Sequence, residues 1–332
     1  MPRTALIVGG SGQIGRAVAS RLVSDGWRVI AAQRRPFDAA PGVETVRLDR
    51  GEDEAIARAV GAGVDALIDT VAYDEAHARQ LLEVQGDVGA FVVISSGSVY
   101  RDAEGRTLDE AGETGFPRFP EPIGEDQPTT APGPRTYSTR KVALEQTLLQ
   151  EATRPVTILR PGAVYGPGST QPREWFFVKR ILDGRRVVPL AWGGASRFHT
   201  SATANIAELV RVVLDRPATR VLNAVDPEAL TVSEIGDAIA ASYAYEWRLV
   251  PIDGPPAGGV GGHPWGIPRP IVMDMTRAAA LGYRPVTHYR DAVGEACRSI
   301  EAAAAAGAAF PDYILKLFDY AAEDAYLHAL RK

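Results

Sequence analysis

Residues 4–15 read TALIVGGSGQIG, and this stretch decides the fold. The apolar run at residues 4–8 stops at two glycines, which is typical of a buried parallel strand. From residue 13 apolar side chains return at helical spacing (Ile14, Val18 and Leu22), and Asp25-Gly26 ends the pattern. The sequence therefore predicts a strand, a glycine-rich turn and a helix.

The same alternation continues along the first half of the chain. Further strands are predicted at residues 28–32, 43–48, 65–71, 91–94 and 155–160, with helices at 52–60, 76–84 and 135–151. Strands that alternate with helices pair in parallel through crossovers. The expected fold class is α/β, with a doubly wound parallel Rossmann-like sheet. Residues 101–134, rich in proline and glycine, interrupt the alternation and are interpreted as a long loop over the carboxyl edge of the sheet.

The composition changes after Gly168, where aromatic residues such as Trp175, Phe176 and Trp192 become frequent. We expect a smaller, aromatic-lined region there. The first predicted domain is residues 1–168, which hold the sheet and include loop 101–134. The second is residues 169–298, with part of the chain returning to the sheet. Residues 299–332 are predicted as a C-terminal helical extension, with one apolar stripe over 314–330.

Composition narrows the class of protein. The chain has 332 residues and a net charge of −5, without a concentrated basic stripe, so a nucleic-acid partner is not expected. The single cysteine, Cys297, forms no internal disulfide and excludes cysteine-rich metal sites, and no metal is predicted. No uninterrupted apolar run is long enough to span a membrane, and Met1 leads directly into the first strand. We therefore expect a cytoplasmic protein that binds a small-molecule substrate.

The three glycines of the first turn have the spacing of a dinucleotide site. Gly9 permits a tight turn, Gly12 lets the backbone approach a pyrophosphate, and Gly15 permits close packing of the helix on the strand. The N-terminus of the helix, at Gln13 and Ile14, favours the phosphate charge. A tight turn without a ligand is the alternative, but the flanking strand and helix favour the dinucleotide.

The end of the second strand selects the cofactor. An acidic residue there would bind the adenosine ribose of NAD, but this chain has Gln33 followed by Arg34 and Arg35. Two guanidinium groups suit a 2′-phosphate, so NADP is predicted, with NAD as the alternative. The alternative interpretation is that the two arginines are solvated charges on the protein surface. Asp49, after the third strand, is either a contact to the adenine amino group or a turn residue.

Tyr137 and Lys141 stand four positions apart in a predicted helix and so share one face. A nearby ammonium stabilises a phenolate, which allows the tyrosine to act as an acid or base near neutral pH. Lys141 can also hold the nicotinamide ribose. Ser96, at the end of the fifth strand, can hydrogen-bond the substrate oxygen. A tyrosine and a lysine at this spacing are common by chance, so an exposed helix without a catalytic role is the alternative. The position of the pair after the fifth strand, in a chain with the glycine turn, favours a catalytic role.

These features together resemble the extended short-chain dehydrogenase/reductase family, which includes the NAD-dependent epimerase/dehydratases. The resemblance rests on the glycine motif at 9–15, SSGSVY at 95–100, EDQP at 125–128, YSTRK at 137–141, LRPGAVYGPG at 159–168 and ALGYRP at 280–285. It covers nearly the whole chain. It implies that residues 1–168 form a dinucleotide-binding, Rossmann-like domain and that residues 169–298 are mainly a small C-terminal substrate-binding domain. It also implies Ser96, Tyr137 and Lys141 as catalytic residues. Members of this family are often dimers, so a homodimer is possible.

The expected site residues follow from the motifs and the resemblance together. For the cofactor they are Gly9, Gly12, Gln13, Ile14, Gly15, Gln33, Arg34, Arg35, Asp49, Val71, Tyr73, Lys141 and Pro161. For the substrate they are Ser98, Ala163, Arg197 and His199. Tyr73 and His199 also have an open alternative: Tyr73 is equally well a core aromatic, and His199 is more typical of a structural hydrogen-bonding residue.

The sequence departs from the nucleotide-sugar members at several points. These usually have an asparagine where this chain has Ala163, and an Arg-Asp-Phe segment where it reads Arg197-Phe198-His199. The loop at 101–134 is also longer than in simple epimerases. These departures weaken a nucleotide-sugar assignment. The missing asparagine, the arginine pair and the complete set of Ser96, Tyr137 and Lys141 favour an NADP-dependent oxidoreductase that transfers a hydride between the nicotinamide and a carbonyl or secondary alcohol. A nucleotide-sugar epimerase/dehydratase with tightly bound NAD is the alternative, and a non-catalytic Rossmann sensor or binding protein is a third hypothesis.

Overall fold

The computed structural model describes residues 2–330. The strands are β1 (Thr4–Val8), β2 (Arg28–Gln33), β3 (Val43–Arg47), β4 (Val64–Asp69), β5 (Val88–Ile94), β6 (Val156–Pro161), β7 (Ala163–Tyr165), β8 (Val187–Leu190), β9 (Thr200–Ala202), β10 (Arg220–Ala224) and β11 (Arg248–Pro251). The helices are α1 (Gln13–Ser24), α2 (Ala55–Val60), α3 (Glu75–Glu83), α4 (Ala111–Thr114), α5 (Tyr137–Glu151), α6 (Trp175–Leu182), α7 (Thr203–Asp215), α8 (Val232–Ser242), α9 (Thr276–Ala280), α10 (Tyr289–Ala305), α11 (Asp312–Leu315) and α12 (Tyr320–Ala329).

Seven strands form one sheet in the order β10-β6-β5-β4-β1-β2-β3. Every neighbouring pair is parallel. The order reverses between β1 and β4, and in open α/β sheets such a switch point opens a crevice at the carboxyl ends of the strands. The predicted doubly wound parallel sheet is confirmed.

Central strands β1, β4 and β5 are almost entirely buried because helices cover both faces of the sheet. Helix α1 packs against α7, and α3 packs against α5. The core on the α3 and α5 side consists mainly of aliphatic side chains, including Leu6, Leu67, Leu81, Leu144 and Ile158. This packing fixes the carboxyl edge of the sheet, where the predicted cofactor and catalytic residues lie.

The chain divides into two units. The first comprises residues 1–162, 203–225 and 273–286 and contains the seven-stranded sheet. The second comprises residues 163–202, 226–272 and 287–332 and contains two small parallel pairs, β7 with β9 and β8 with β11. Its core is rich in aromatic rings, among them Trp175, Phe176, Phe177, Trp265 and Tyr289. The role of this unit as a substrate domain stays a prediction.

Helix α5 begins two residues later than the sequence pattern indicates, because Thr136 is its N-cap. The Thr136 side chain accepts from the Thr139 backbone N–H at 3.2 Å, and the Thr139 hydroxyl accepts from the Thr136 N–H at 2.8 Å. Such a reciprocal cap satisfies two backbone donors that the helix leaves unpaired. Tyr137 is therefore the first residue of the helix and Lys141 lies one turn further on.

The C-terminal extension differs from its prediction. Instead of one stripe over residues 314–330, helix α11 ends at Leu315 and α12 starts at Tyr320. Asp319 caps α12 by accepting from the Ala322 N–H at 3.0 Å. Ile314 is buried, whereas Leu330 is exposed, so the apolar positions do not share one face. Arg331 and Lys332, included in the predicted extension, lie outside the described residues.

Candidate active site

The glycine turn connects β1 to the N-terminus of α1. Gly9 has φ +87°, and a Cβ on Gly15 would lie 2.3 Å from the carbonyl oxygen of Gly9. That distance is far below contact, so only glycine lets the helix approach the turn so closely. A Cβ on Gly12 would meet only that same oxygen, at 3.4 Å, which leaves its outer side open. Gln13 and Ile14 follow as the first residues of α1.

A cleft of about 560 Å³ opens beside this turn. It brings together side chains from the ends of β1, β2, β3 and β4, as expected at a switch point. Its lining residues are Val8, Gly9, Ser11, Ala32, Gln33, Arg34, Arg35, Leu48, Asp49, Arg50, Val71 and His77. Six residues predicted from sequence are therefore in one cleft: Gly9, Gln33, Arg34, Arg35, Asp49 and Val71.

The polar side chains of the cleft differ in the hydrogen bonds that they form within the protein. Gln33 is only 8% exposed, yet among residues 2–330 its side-chain oxygen has no hydrogen-bond partner. Arg34 and Arg35 are exposed. The Asp49 carboxylate accepts from the Gly51 N–H at 3.1 Å, a bond typical of a turn residue, and Asp49 also lines the cleft. An unsatisfied buried acceptor, a glycine cradle and two exposed arginines fit the adenosine and phosphate groups of a dinucleotide.

Lys141 is 5% exposed and lies beneath the edge of the sheet. Its Nζ donates to the carbonyl oxygens of Ala72 at 2.6 Å and Ile94 at 3.0 Å. An ammonium has three donors, so one remains for a ligand. Burial lowers the pKa of Lys141 to about 8, although Asp69 and Glu145 oppose the effect.

Tyr137 is 40% exposed, and its ring centre lies 5.7 Å from Lys141 Nζ. Burial of the phenol raises the pKa of Tyr137 above its ordinary value, and a hydrogen bond with the Ser96 side chain acts in the opposite direction. The ring of Tyr73 packs against that of Tyr137 with centres 5.6 Å apart. The three residues predicted to be catalytic thus lie together, with Tyr73 as a neighbour.

Serine hydroxyls extend this group. Ser96 Oγ lies 2.9 Å from Ser98 Oγ, and Ser138 on α5 donates to Ser98 Oγ, also at 2.9 Å. Ser96 also accepts from the Ser98 N–H at 3.1 Å and caps a short 3₁₀ turn. These bonds fix the Ser96 hydroxyl beside Tyr137, while Ser98 is engaged within the protein. Pro161, the last residue of β6, is buried.

The remaining substrate predictions, Ala163, Arg197 and His199, lie in the second unit. His199 is buried, and its Nε2 lies 2.9 Å from the Asp226 carbonyl oxygen. Burial lowers the pKa of His199 to about 4, so the ring is neutral at physiological pH. This matches the structural alternative raised from the sequence. Ala163 is also buried, and Arg197 is half-buried.

Sequence reasoning missed a polar group behind the residues predicted to be catalytic. Asp69, at the end of β4, is fully buried and pairs with Arg50 at 2.8 Å. Its other oxygen accepts from the N–H groups of Val71 at 2.9 Å and Ala72 at 2.7 Å. The available signal was an aspartate directly after the apolar run at residues 66–68. No cluster suited to a metal ion occurs among residues 2–330.

Within the same residues, no helix combines the length and the apolar character needed to cross a membrane.

Comparison with known proteins places these features in a family. The sequence model of the NAD dependent epimerase/dehydratase family matches residues 5–224. A 2-alkyl-3-oxoalkanoate reductase of Stenotrophomonas maltophilia (strain K279a) is 30% identical over 227 residues, which are 61% of this chain and 62% of that protein. The match therefore spans less than two thirds of this relative's length.

Solved structures resemble the fold at low identity. The enzyme WbmH of Bordetella bronchiseptica, in complex with NAD⁺, has a TM-score of 0.69 at 17% identity, covering 91% of this chain and 99% of that one. UDP-glucose 4-epimerase of Thermotoga maritima, with UDP-glucose, has a TM-score of 0.68 at 19% identity, also covering 91% and 99%. With the family match extending from β1 to the end of β10, this chain belongs to the NAD dependent epimerase/dehydratase family, within the extended short-chain dehydrogenases/reductases.

Proposed function

We propose that this protein is an NADP-dependent oxidoreductase that transfers a hydride between the nicotinamide and a carbonyl or secondary alcohol. The observation that carries the proposal is the grouping of Tyr137, Lys141 and Ser96 at the carboxyl edge of the sheet that also forms the cleft. The reductase from Stenotrophomonas supports a carbonyl substrate, and its name suggests 3-oxoacids as compounds to test.

Tyr137 serves as the acid or base. Since burial raises the pKa of its phenol, the hydroxyl stays protonated near neutral pH and can donate a proton to the oxygen of a carbonyl undergoing reduction. Ser96 holds that oxygen through its hydroxyl. A reduced nicotinamide cofactor, when bound, would supply the hydride, and the oxidised form carries the positive ring that stabilises a phenolate.

Lys141 has two roles in this proposal. Its charge lowers the energy of a phenolate on Tyr137 during proton transfer, since an opposite charge nearby favours the ionised form. Its third N–H holds the nicotinamide ribose. The two backbone acceptors at Ala72 and Ile94 orient the ammonium for both roles.

NADP preference rests on the cleft. Arg34 and Arg35 follow Gln33 directly, where NAD enzymes commonly place a carboxylate. An uncharged glutamine repels no phosphate, and an exposed pair of guanidinium groups can form charge-assisted hydrogen bonds with a 2′-phosphate. NAD is the alternative cofactor.

The competing function is a nucleotide-sugar epimerase or dehydratase that keeps its NAD bound, which the family name favours. Ala163, where such members usually have asparagine, argues against it. A non-catalytic binding protein is less favoured because Ser96, Tyr137 and Lys141 are all present and grouped. A homodimer, a cytoplasmic location and the absence of a nucleic-acid partner stay predictions.

The first experiment identifies the cofactor. The purified protein is denatured and any released dinucleotide is identified by mass spectrometry; a second sample is incubated with equal NADPH and NADH and rapidly desalted first. We expect an empty protein that retains NADPH over NADH. Stoichiometric NAD(H) retained from the cell would contradict the NADP assignment and favour the epimerase/dehydratase.

Activity is then measured with NADPH and a panel of ketones, aldehydes and 3-oxoacids. We expect Tyr137→Phe to lower turnover about 10²- to 10⁴-fold, the usual range for losing a general acid. Tyr313→Phe, at a partly exposed tyrosine outside the predicted site, is the matched control. Turnover of Tyr137→Phe at the wild-type rate would exclude the acid/base role.

A further inference from the structure

The loop at residues 101–134 is held near its start by one buried carboxylate, that of Asp102. It accepts from the backbone N–H groups of Glu104 at 3.0 Å, Arg106 at 2.8 Å and Arg118 at 2.8 Å. The Arg106 side chain adds an ion pair with Asp102 at 2.8 Å. A buried carboxylate that satisfies three backbone donors gives a loop a defined shape. The residues between Arg106 and Arg118 therefore have defined positions.

Asp109 lies in this stretch, just before α4, and contacts the first turn of α5. Its Oδ2 accepts from the Ser138 N–H at 2.7 Å. The neighbouring Glu110 pairs with Arg135, directly before the Thr136 cap, so two successive loop residues hold the start of α5. A helix leaves its first N–H groups without an internal partner, and a negative charge is favourable at that end. Asp109 supplies both the acceptor and the charge.

The bond to Ser138 is the outer end of a hydrogen-bonded series that leads to Tyr137. The Ser138 hydroxyl donates to the carbonyl oxygen and to Oγ of Ser98, each at 2.9 Å. Ser98 Oγ lies 2.9 Å from Ser96 Oγ, and the Ser96 side chain hydrogen-bonds to Tyr137. Asp109 thus holds the residue next to Tyr137 directly and, through the serines, the hydroxyl that meets the phenol.

The groups that face the Tyr137 phenol act on its ionisation in different directions. Burial raises the pKa of Tyr137 most, and the hydrogen bond with Ser96 lowers it. Tyr73 and, after it, Asp109 raise this pKa further. Asp109 is the carboxylate in this set. A nearby negative charge favours the neutral phenol, because it disfavours phenolate.

Two cations on α5 complete the surroundings of the phenol. Lys141 Nζ lies 5.7 Å from the centre of the Tyr137 ring, and the Arg140 guanidinium lies 5.5 Å from the centre of the Tyr73 ring. Lys141 favours the phenolate that forms as the proton leaves, whereas Asp109 favours the protonated form before the reaction. The two charges therefore act in opposite directions on the same hydroxyl.

We propose that Asp109 is a positioning residue for Tyr137, which fixes the first turn of α5 and favours the protonated phenol that reduction of a carbonyl requires. The inference rests on the proposed function, in which Tyr137 donates its proton to the carbonyl oxygen. Asp109 itself donates no proton in this assignment. Its contribution is a higher upper pH limit for reduction, because the phenol stays protonated to a higher pH.

The first test follows the ionisation of Tyr137 without turnover. Tyrosine is replaced throughout by 3-fluorotyrosine, which ionises at lower pH, and the ¹⁹F resonance of Tyr137 is identified by its loss in Tyr137→Phe. We expect Tyr137 to ionise at lower pH in Asp109→Asn than in the wild type, since the amide keeps an acceptor for Ser138 but has no charge. Because Asp109 is exposed, the shift should be larger at low ionic strength.

The matched control is Glu113→Gln, which removes one negative charge from an exposed residue of α4 in the same loop. Glu113 is not among the groups that act on the Tyr137 phenol. We therefore expect this variant to titrate like the wild type. Urea unfolding midpoints confirm that every variant is folded.

The second test is the pH dependence of turnover, which a merely structural role would not shift. With NADPH and a ketone that the wild type reduces, we expect the decline of kcat at high pH to begin at lower pH in Asp109→Asn. At pH 7 this variant should keep its turnover within about 3-fold of the wild type. Asp109→Ala also loses the acceptor for Ser138, so its turnover should fall about 10-fold.

Four outcomes are distinguishable. Identical ¹⁹F titrations of Tyr137 in the wild type and Asp109→Asn would overturn the inference. An equal shift in Glu113→Gln would assign the effect to the net charge of the loop and overturn it as well. Equal turnover of Asp109→Asn and Asp109→Ala at pH 7 would exclude the positioning of the α5 turn. A wild type that reduces no carbonyl compound with NADPH would contradict the proposed function, whereas the titration would still decide whether Asp109 acts on Tyr137.

Discussion

Two buried ion pairs, one in each unit, have the same chemistry but different surroundings. In the first unit Arg160 on β6 pairs with Glu145 on α5, with Nε and Oε1 3.0 Å apart. In the second unit Arg180 on α6 pairs with Glu323 on α12. All four side chains are nearly inaccessible to solvent. The difference lies in what each pair is connected to.

The Arg160–Glu145 pair belongs to a polar network beneath the residues predicted to be catalytic. Glu145 also accepts from Ser95, the neighbour of Ser96, and the Arg160 guanidinium lies over the Tyr100 ring at 4.9 Å. Tyr100 donates to the Asn223 side chain at 2.7 Å, and burial raises the pKa of Tyr100 to about 12. The network therefore connects α5 and β6 with β10 and with the segment that follows β5, at the edge of the sheet where the predicted site lies.

The Arg180–Glu323 pair is surrounded by aromatic rings instead. The Arg180 guanidinium lies 3.8 Å from the centre of the Phe176 ring and 5.0 Å from that of Phe318. It also donates to the carbonyl oxygens of Phe176 at 2.9 Å and Leu317 at 2.8 Å. This pair attaches the C-terminal helix to α6. The comparison teaches that the connections of a buried pair, not its own geometry, decide whether it serves the site or the fold alone.

The largest effect is expected from breaking the first pair. Glu145→Gln leaves Arg160 buried without a countercharge, so we expect the free energy of unfolding to fall by about 3–5 kcal/mol. Because Ser95 loses its charged acceptor as well, turnover should also fall in the protein that remains folded. Urea denaturation and turnover at a temperature below the transition measure the two effects. A destabilised variant with unchanged turnover per folded molecule would show that the network serves only the fold.

Glu323→Gln should have a smaller effect. Arg180 keeps two carbonyl acceptors, so we expect a loss of about 2–3 kcal/mol, typical of a hydrogen bond between charged groups. The dissociation constant for NADPH should not change, since the cofactor cleft lies in the other unit. Urea denaturation measures the change in stability, and calorimetry measures NADPH binding. Weaker NADPH binding by Glu323→Gln would contradict the proposed contrast between the two pairs.

The smallest effect concerns pH and Lys141. Its pKa is about 8 in the folded chain, below the ordinary 10.5, because of burial. Between these values the unfolded chain binds more protons than the folded one, so stability increases as pH rises. We expect the wild type to gain about 1–2 kcal/mol relative to Lys141→Met between pH 8 and 9.5. Urea denaturation at both pH values checks this, and parallel pH dependence of the two proteins would contradict it.

Local patterns in the sequence specified much of this molecule. The run from Thr4 to Gly15 predicted a strand, a turn and a helix because each depends only on neighbouring residues. The strand follows from an apolar run, the turn from glycines that permit positive φ, and the helix from apolar residues at helical spacing. Repetition of that unit predicted the parallel sheet. The spacing of Tyr137 and Lys141 predicted their shared face for the same reason. The sequence analysis missed the break between α11 and α12 at residues 316–319. The apolar periodicity runs through this segment, but Asp319 caps α12 and so starts a new helix.

Only the tertiary structure decided which distant groups meet. Arg50 follows β3 and Asp69 ends β4, and nothing in local spacing indicates that the two form an ion pair. Glu145, Arg160, Tyr100 and Asn223 likewise come from four separate segments. Such contacts depend on the strand order and on which side chains packing leaves buried. The sequence by itself thus determined the family, the sheet and the candidate catalytic residues, whereas folding determined the polar network that supports them.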